Sequence, residues 1–322
     1  LDRTGTKELA APMRHLTRLA TASLAAALAV SACGGSTNVL QGKSPDQIIK
    51  LASTSITSSS YHMTLHGALT FDASGITGLP PGTLDQLTGS IKDMTLDGTG
   101  DVQDTTHARF SMTMKPVLDK AIQMVIFADH VYMSEDNGST WADLGSFGFS
   151  GLPVSPSDAV NQLKDLGTVQ DQGATVRNGA GAEHMHATLP ADFISKQFSK
   201  IGGTGQLSQQ MQQLAALMVQ AMQLKNGSVD AYVRSGDGRM DSMDTHATIA
   251  IDMGKFLSAL MQAFSGSLPP GAAGSLGDVS GSLTMTEAVT QQYSNYGAKV
   301  TVTKPTVDPN APTLPGGGLF GA

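Results

Sequence analysis

The sequence predicts an α+β fold built on one large antiparallel sheet, and three observations carry that prediction. Stretches in which apolar residues alternate with polar ones recur from Tyr61 to Tyr293, the mark of strands with one face buried and the other in water. Short turn signals such as Glu135-Asp136-Asn137-Gly138 and Ser235-Gly236-Asp237-Gly238 separate successive strands, which makes neighbours antiparallel. Between residues 44 and 304 no linker divides two self-sufficient cores. A single sheet of about ten strands, with helices gathered on one side, fits this order better than two domains.

The domain opens with a helix. In "SPDQIIKLASTSI" Ser44 is placed to cap it, Pro45 takes the first helical position, and Ile48, Ala52 and Ile56 share one face. The period then changes to two. "YHMTLHGALTFD" sets Tyr61, Met63, Leu65, Leu69 and Phe71 against His62, Thr64, His66, Thr70 and Asp72. After the Gly- and Pro-rich "SGITGLPPGT" come the strands "MTLDGTGDVQ" and "HARFSMTMK", then "IQMVIFADHVYMS", broken at Asp129-His130. "SPSDAVNQLKDLG" returns to helical spacing and stops at Gly167, "TVQDQGATVRN" and "AEHMHATL" form a hairpin, and a helix opens at Pro190 with Phe193, Ile194 and Phe198. The longest helical pattern is residues 206–224, where Leu207, Met211, Leu214, Leu217, Met218, Ala221 and Met222 face a glutamine-rich side. A hairpin, the short helix "MGKFLSALMQAF" and a last long strand, "VSGSLTMTEAVTQQY", complete the pattern.

Cys33 is the only cysteine among 322 residues, so it has no internal disulfide partner and no second thiol for a metal site. Upstream, Arg14 and Arg18 precede an uncharged apolar run, Leu19 to Val30, which has the layout of a secretory signal and is too short for a stable membrane span. Residues 1–32 are therefore read as a signal peptide, with 1–12 lying upstream of a true start at Met13. The order Val30-Ser31-Ala32-Cys33 resembles the bacterial lipobox, in which the cysteine receives a covalent diacylglycerol and its amine becomes the new N-terminus; the plainer alternative is cleavage near Ala32 with an incidental cysteine. Residues 33–43 then form a lipidated flexible tether, 44–304 the folded domain, and 305–322 a disordered Pro- and Gly-rich tail. Acyl chains contribute about 0.8 kcal/mol per buried methylene, so the expected location is the extracytoplasmic face of the cell membrane, reached through the anchor.

Beyond Ala32 the chain keeps 16 Lys and Arg against 25 Asp and Glu, a formal charge of −9. A surface this acidic excludes nucleic acid as a partner. Methionine is frequent and aromatics are few. Thioether side chains suit surfaces that take ligands of variable shape, although methionine also simply replaces leucine in cores.

The lipobox at Cys33, the hairpin "VYMSEDNGSTW", "SPSDAVNQLKDLG", "DAYVRSGDGRMDSM" and the closing "YSNYGAKVTVTKP" together resemble the LppX/LprAFG family of actinobacterial lipoproteins, which is similar in shape to the LolA and LolB carriers. The resemblance runs from about Ser44 to Pro305 and rests on the order of these elements. It implies a strongly curved half-barrel whose concave face, covered by helices, encloses an apolar cavity for the acyl chains of lipids or lipoglycans, and an envelope transporter as partner. The cavity would be lined by Met63, Leu65, Phe71, Leu96, Phe110, Met112, Met124 and Ile126, with Leu217 and Met218 from the roof helix. A dry apolar space of this kind accepts acyl chains; the alternative is that the same residues form a filled core and the protein is an envelope interaction module. The sequence departs from the family in the insertions near 73–90 and 266–278 and in the Met- and Gln-rich helix at 206–224.

No catalytic residues are expected. The chain has no G-x-S-x-G elbow, P-loop, H-E-x-x-H or dinucleotide fingerprint. A lipid hydrolase would need a Ser-His-acid arrangement that spacing alone does not display. His62 with His66, and His184 with His186, each share a strand face, but no closely spaced carboxylate or thiol completes a metal site. "HMH" and "MTM" raise copper, yet Met185 lies on the opposite face from His184 and His186, so one ion does not easily use all three. No metal and no cofactor beyond the acyl lipid are predicted.

Overall fold

The computed structural model describes residues 38–56, 59–78, 93–116, 120–128, 130–145, 163, 165–196, 216–264 and 279–308. Cys33, the tail beyond 308 and most of the predicted helices at 155–167 and 206–224 lie outside them. Residues Val39–Ala322 cluster as one compact unit.

The first helix, α1 (Pro45–Ile56), starts as its sequence requires: the Ser44 amide donates to Gln47 Oε1 at 3.0 Å and the Gln47 amide to Ser44 Oγ at 3.4 Å. That reciprocal pair occupies two of the donors a helix start leaves free. Its face carries Ile48, Ile49 and Ala52, all buried.

Among the described residues eleven strands follow: β1 (Tyr61–Thr77), β2 (Asp93–Asp104), β3 (His107–Lys115), β4 (Ile122–Phe127), β5 (His130–Ser134), β6 (Ala142–Asp143), β7 (Val169–Arg177), β8 (Ala180–Thr188), β9 (Met222–Arg234), β10 (Met240–Asp252) and β11 (Ser280–Ser294). Helix α2 (Met253–Phe264) leads out of β10. All neighbours pair antiparallel in one sheet, in the order β6-β5-β4-β3-β2-β1-β11-β10-β9-β8-β7. The chain thus starts in mid-sheet, walks to one edge, crosses to the other edge and walks back until β11 closes on β1.

The turns are set by local chemistry. Asn178 and Gly179, between β7 and β8, both have positive φ, 50° and 80°, the geometry a two-residue hairpin favours. Between β5 and β6, Asn137 and Gly138 repeat it, and Asp136 ties the loop by accepting from the Ser139 and Thr140 amides and the Thr140 hydroxyl. Those donors hold the Asp136 carboxyl well below the usual range. At one point the sheet demands glycine. Gly281 has φ +101°, and a Cβ there would meet the Gly75 carbonyl oxygen, so glycine at 281 lets β1 and β11 stay paired past the bulge at Asp72/Gly75.

One correction concerns the helix read over 206–224. The helix ends at Ala221, and Met222 begins β9, paired through Met222↔Ile251 and Leu224↔Ile249. Helical spacing in Met218, Ala221 and Met222 is overridden where the chain meets the free side of β10, because ladder hydrogen bonds and burial of Leu224 are available only to an extended backbone.

Alternation sorts the sheet into two faces. Across the register, Tyr61, Met63, Leu65, Gly67, Leu69 and Phe71 share a face with Tyr293, Gln291, Val289, Glu287 and Met285 of β11 and with Met243, Ala231 and Met185 farther on. On this apolar face Tyr61, Met63, Val102, Phe110, Val131, Met185, Val229 and Met243 join Ile48, Ile49, Leu163, Leu166 and Ile194 in one core cluster. On the polar face a smaller cluster, Val125, Tyr132 and Val302, forms where residues 299–308 run back across the sheet, held by the Val302 amide donating to Gln103 Oε1 at 2.9 Å.

Candidate functional site

The strand residues expected to line a cavity lie on the same face. Met63 sits opposite Gly100, Phe110 opposite Gly100 and Met124, Met112 opposite Gly98, and Ile126 opposite Ala108. Their burial differs with position. Met63, Phe110 and Met124 are closed into the core cluster, and Met112 and Ile126 pack against it half-buried. Leu65, Phe71 and Leu96 are half-buried, as are Leu69, Met94, Met114, Met285 and Val289 around them. The face therefore passes, along β1, from a closed end at Tyr61 to an open end at Phe71.

Glycine shapes the closed end. Gly100 lies under the Phe110 ring, and a Cβ there would fall 2.3 Å from it, so the aromatic fills the space the missing side chain leaves. Tyr61 meets Tyr293 edge to face at 6.1 Å between centroids, and the Tyr293 hydroxyl donates to Gln291 Oε1 at 2.5 Å.

Leu217 and Met218, expected from the roof helix, fall in residues 216–221 and are half-buried. Leu217 lines a small hollow of about 280 Å³ with Gln220, Gly254, Lys255, Ser258 and Ala259. It is walled by α2 and not by the eight strand residues.

Sequence reading missed an acid on the open part of the face. Glu287, on β11, pairs with Leu69 of β1 and Ala247 of β10 and stands between Met285 and Val289. Burial pushes its carboxyl up from the ordinary glutamate value. The signal was readable: in "LTMTEAV" Leu283, Met285, Glu287 and Val289 have one parity.

The histidines also acquire partners that spacing along the chain hid. His62 Nδ1 lies 2.9 Å from Asp101 Oδ1, His66 Nδ1 2.6 Å from Asp97 Oδ1, and His130 pairs with Asp143. His184 Nε2 and His186 Nδ1 converge on Asp230 Oδ1 at 2.7 and 2.8 Å. The carboxylates expected to be missing are there, supplied across the ladder by the neighbouring strand. Burial raises the Asp230 carboxyl, but hydrogen bonds from His186 and His184 outweigh it and leave it lowered. Asp101 is lowered in the same way by His62 and Arg109, against its own desolvation. Among the described residues no group of three His, Cys, Asp or Glu side chains is disposed to hold a metal ion.

The polar face is otherwise tied by charge and hydroxyls. Arg177 reaches from β7 over the Tyr232 ring, 4.5 Å from its centroid, to Asp244 of β10 at 2.8 Å, and Thr290 of β11 donates to the same carboxylate. His184 stacks on Tyr232 at 4.8 Å. A hollow of about 440 Å³ lies beneath the returning segment 299–308, bounded by His62, Asp101, Arg109, Trp141 and Val302. No described helix is long and apolar enough to cross a membrane.

No protein-family model matches the chain, and no curated protein matches it in sequence. Solved structures do: the structure is similar to lipoprotein LppX of Mycobacterium tuberculosis, at 14% identity and TM-score 0.33 over 81% of this chain and 100% of that one. It is similar to LprF of Mycobacterium bovis at 12% identity and TM-score 0.36, over 81% and 98%. A putative outer membrane lipoprotein-sorting protein domain from Vibrio parahaemolyticus follows at 6% identity and TM-score 0.25, over 79% and 93%. The resemblance to the LppX/LprAFG family noted in the sequence is thus met again among solved structures.

Proposed function

We propose that this chain is a lipid-anchored, non-enzymatic envelope protein that binds the acyl chains of an amphipathic lipid or lipoglycan on the apolar face of its sheet and carries them across the envelope. In this reading the sheet curves into a half-barrel, helices roof the apolar face, and polar head groups stay at the opening. Cys33 carries the diacylglycerol anchor, on the extracytoplasmic face of the cell membrane, and an envelope transporter hands over or receives the ligand.

One observation carries the reading. Leu65, Leu69, Phe71, Leu96, Met112 and Met285 form a continuous apolar surface across β1, β2, β3 and β11 that stays only half-buried, whereas the same strands bury such residues fully one or two positions away. An apolar area that the described residues leave partly open is a binding surface more often than ordinary exterior. Each ligand methylene taken from water there contributes about 0.8 kcal/mol, so two acyl chains supply ample affinity. The methionines let the surface adapt to chain shape.

Native mass spectrometry with lipid extraction tests this on the chain from Gly34 onward. Near-stoichiometric acyl species, lost when Leu96 or Met112 is replaced by aspartate, are the expected outcome. An unliganded mass, with no uptake from envelope lipids, would instead favour a filled-core module that recruits another envelope protein.

A further inference from the structure

Glu287 has no hydrogen-bond or ion-pair partner among the described residues, although it lies in the middle of the apolar face. Its cross-strand neighbours are Leu69 and Ala247, its neighbours along β11 on that face are Met285 and Val289, and beyond Leu69 and Ala247 stand Met94 and Gly227. None of these side chains offers a nitrogen or oxygen atom; Thr245, diagonal to Glu287 on β10, is the nearest on this face with a hydroxyl. The next polar group on the same face of the strand is Gln291, already engaged by the Tyr293 hydroxyl.

A half-buried carboxyl ringed by apolar side chains, with no partner among the described residues, is costly to ionise and open to a ligand's polar atom. We propose that Glu287 is the polar anchor of the apolar face, its carboxyl group hydrogen-bonding the carbonyl oxygen of an ester- or amide-linked acyl chain laid along β1 and β11. The inference rests on the lipid-binding reading above and specifies which part of the ligand the site recognises. Desolvation favours the neutral acid, and a neutral carboxyl is a donor that a carbonyl oxygen satisfies. A cationic amphiphile fits less well, because it requires the ionised form in apolar surroundings. The anchor fixes depth: chains extend along the face on either side while the linkage stays at Glu287.

The pH response follows from what faces the group. On β1 the neighbouring positions of that face are Gly67, Leu69 and Phe71, and on β10 they are Thr245, Ala247 and Ile249, none of them titratable. Helix α2, which packs against β10 and β11, carries only Lys255, exposed and 3.8 Å from Asp252, the last residue of β10. Ionisation of Glu287 removes the donated proton, so preference for a carbonyl-bearing ligand falls as pH rises through its titration.

The test uses the full chain carrying Cys33→Ser and two probes of equal length, a pyrene-labelled hexadecane and a pyrene-labelled hexadecanoic acid methyl ester, titrated by fluorescence from pH 5 to pH 8. The parent protein is expected to bind the ester about tenfold more tightly at the acid end, as one extra hydrogen bond allows, with the ratio shrinking towards pH 8. Glu287→Leu removes the preference while hydrocarbon binding holds or rises. Glu287→Gln, close in shape and still a donor, keeps the preference and loses its pH dependence. A preference that survives Glu287→Leu, or that in Glu287→Gln still declines with pH as in the parent, would overturn the anchor and leave lipid binding intact. Failure of both probes to bind the parent would sink the lipid-binding reading itself.

Discussion

The two ends of the apolar face are made by the same strands and finished differently. At the Tyr61 end, Val102, Ala108, Phe110 and Val131 are buried, and the core they form includes the apolar side of α1. At the Phe71 end, Leu69, Leu96, Met94 and Met285 are of similar chemistry and only half-buried. On the β8–β10 side Val229, Ala187 and Ala247 remain closed at the level where β1 and β2 have opened. Alternation decides which face a residue is on, and what packs above it decides whether it stabilises or stays available. A closed core and a half-buried apolar surface are therefore separable along one strand.

The sharpest way to break this comparison is to truncate methionines at each end. Met185→Ala, at a fully buried position, is expected to cost about 2–4 kcal/mol in chemical denaturation. Met112→Ala, half-buried where it packs against that core, should cost less, about 1–2 kcal/mol. Equal losses would mean that both ends are core.

Next in size is Gly281→Ala. The added methyl meets a backbone oxygen in a conformation with φ +101°, and about 1–3 kcal/mol should be lost. The damage belongs to the open end: hydrogen exchange should speed up in β1 beyond the bulge, at Ile76 and Thr77, while the amides of Met63 and Leu65 keep their protection.

The polar face gives a third and smaller effect. Asp230 has a folded pKa below its unfolded one, so its contribution is present above about pH 4 and is lost as pH falls through the depressed value. Asp230→Asn should lower stability at pH 6 by about 1 kcal/mol and flatten the acid limb of a stability profile.

Glu287 behaves with the opposite sign. Its folded pKa is raised, so the native state holds the proton longer and stability declines as pH rises from the unfolded value through the folded one. Glu287→Gln should remove that decline, leaving a slightly higher melting temperature at pH 7 and none of the change at pH 4.

Much of the sheet was legible because its signals are local. Period-two alternation from Tyr61, the turn at Asn137-Gly138 and the Ser44 cap all lie within a few residues of what they determine. What escaped was long-range. The pairing of β1 with β11, and the carboxylates of Asp101 and Asp230 against histidines dozens of residues away, depend on register between strands. The end of the helix at Ala221 escaped for the same reason, since only the presence of β10 makes an extended Met222 preferable. Glu287 is the exception: its parity was local, and a single acid in an apolar series was the clue.

The order in which this sheet is assembled follows from its ladder. β1 is among the first strands to leave the ribosome and β11 is the last, yet they lie side by side at the centre. Until the final residues arrive, the meander from β1 to β6 presents a long unpaired edge, Tyr61 to Thr77, in the middle of what will become the face. Contacts so distant in sequence form slowly. The apolar face is thus completed only once β11 has been made and has paired with β1.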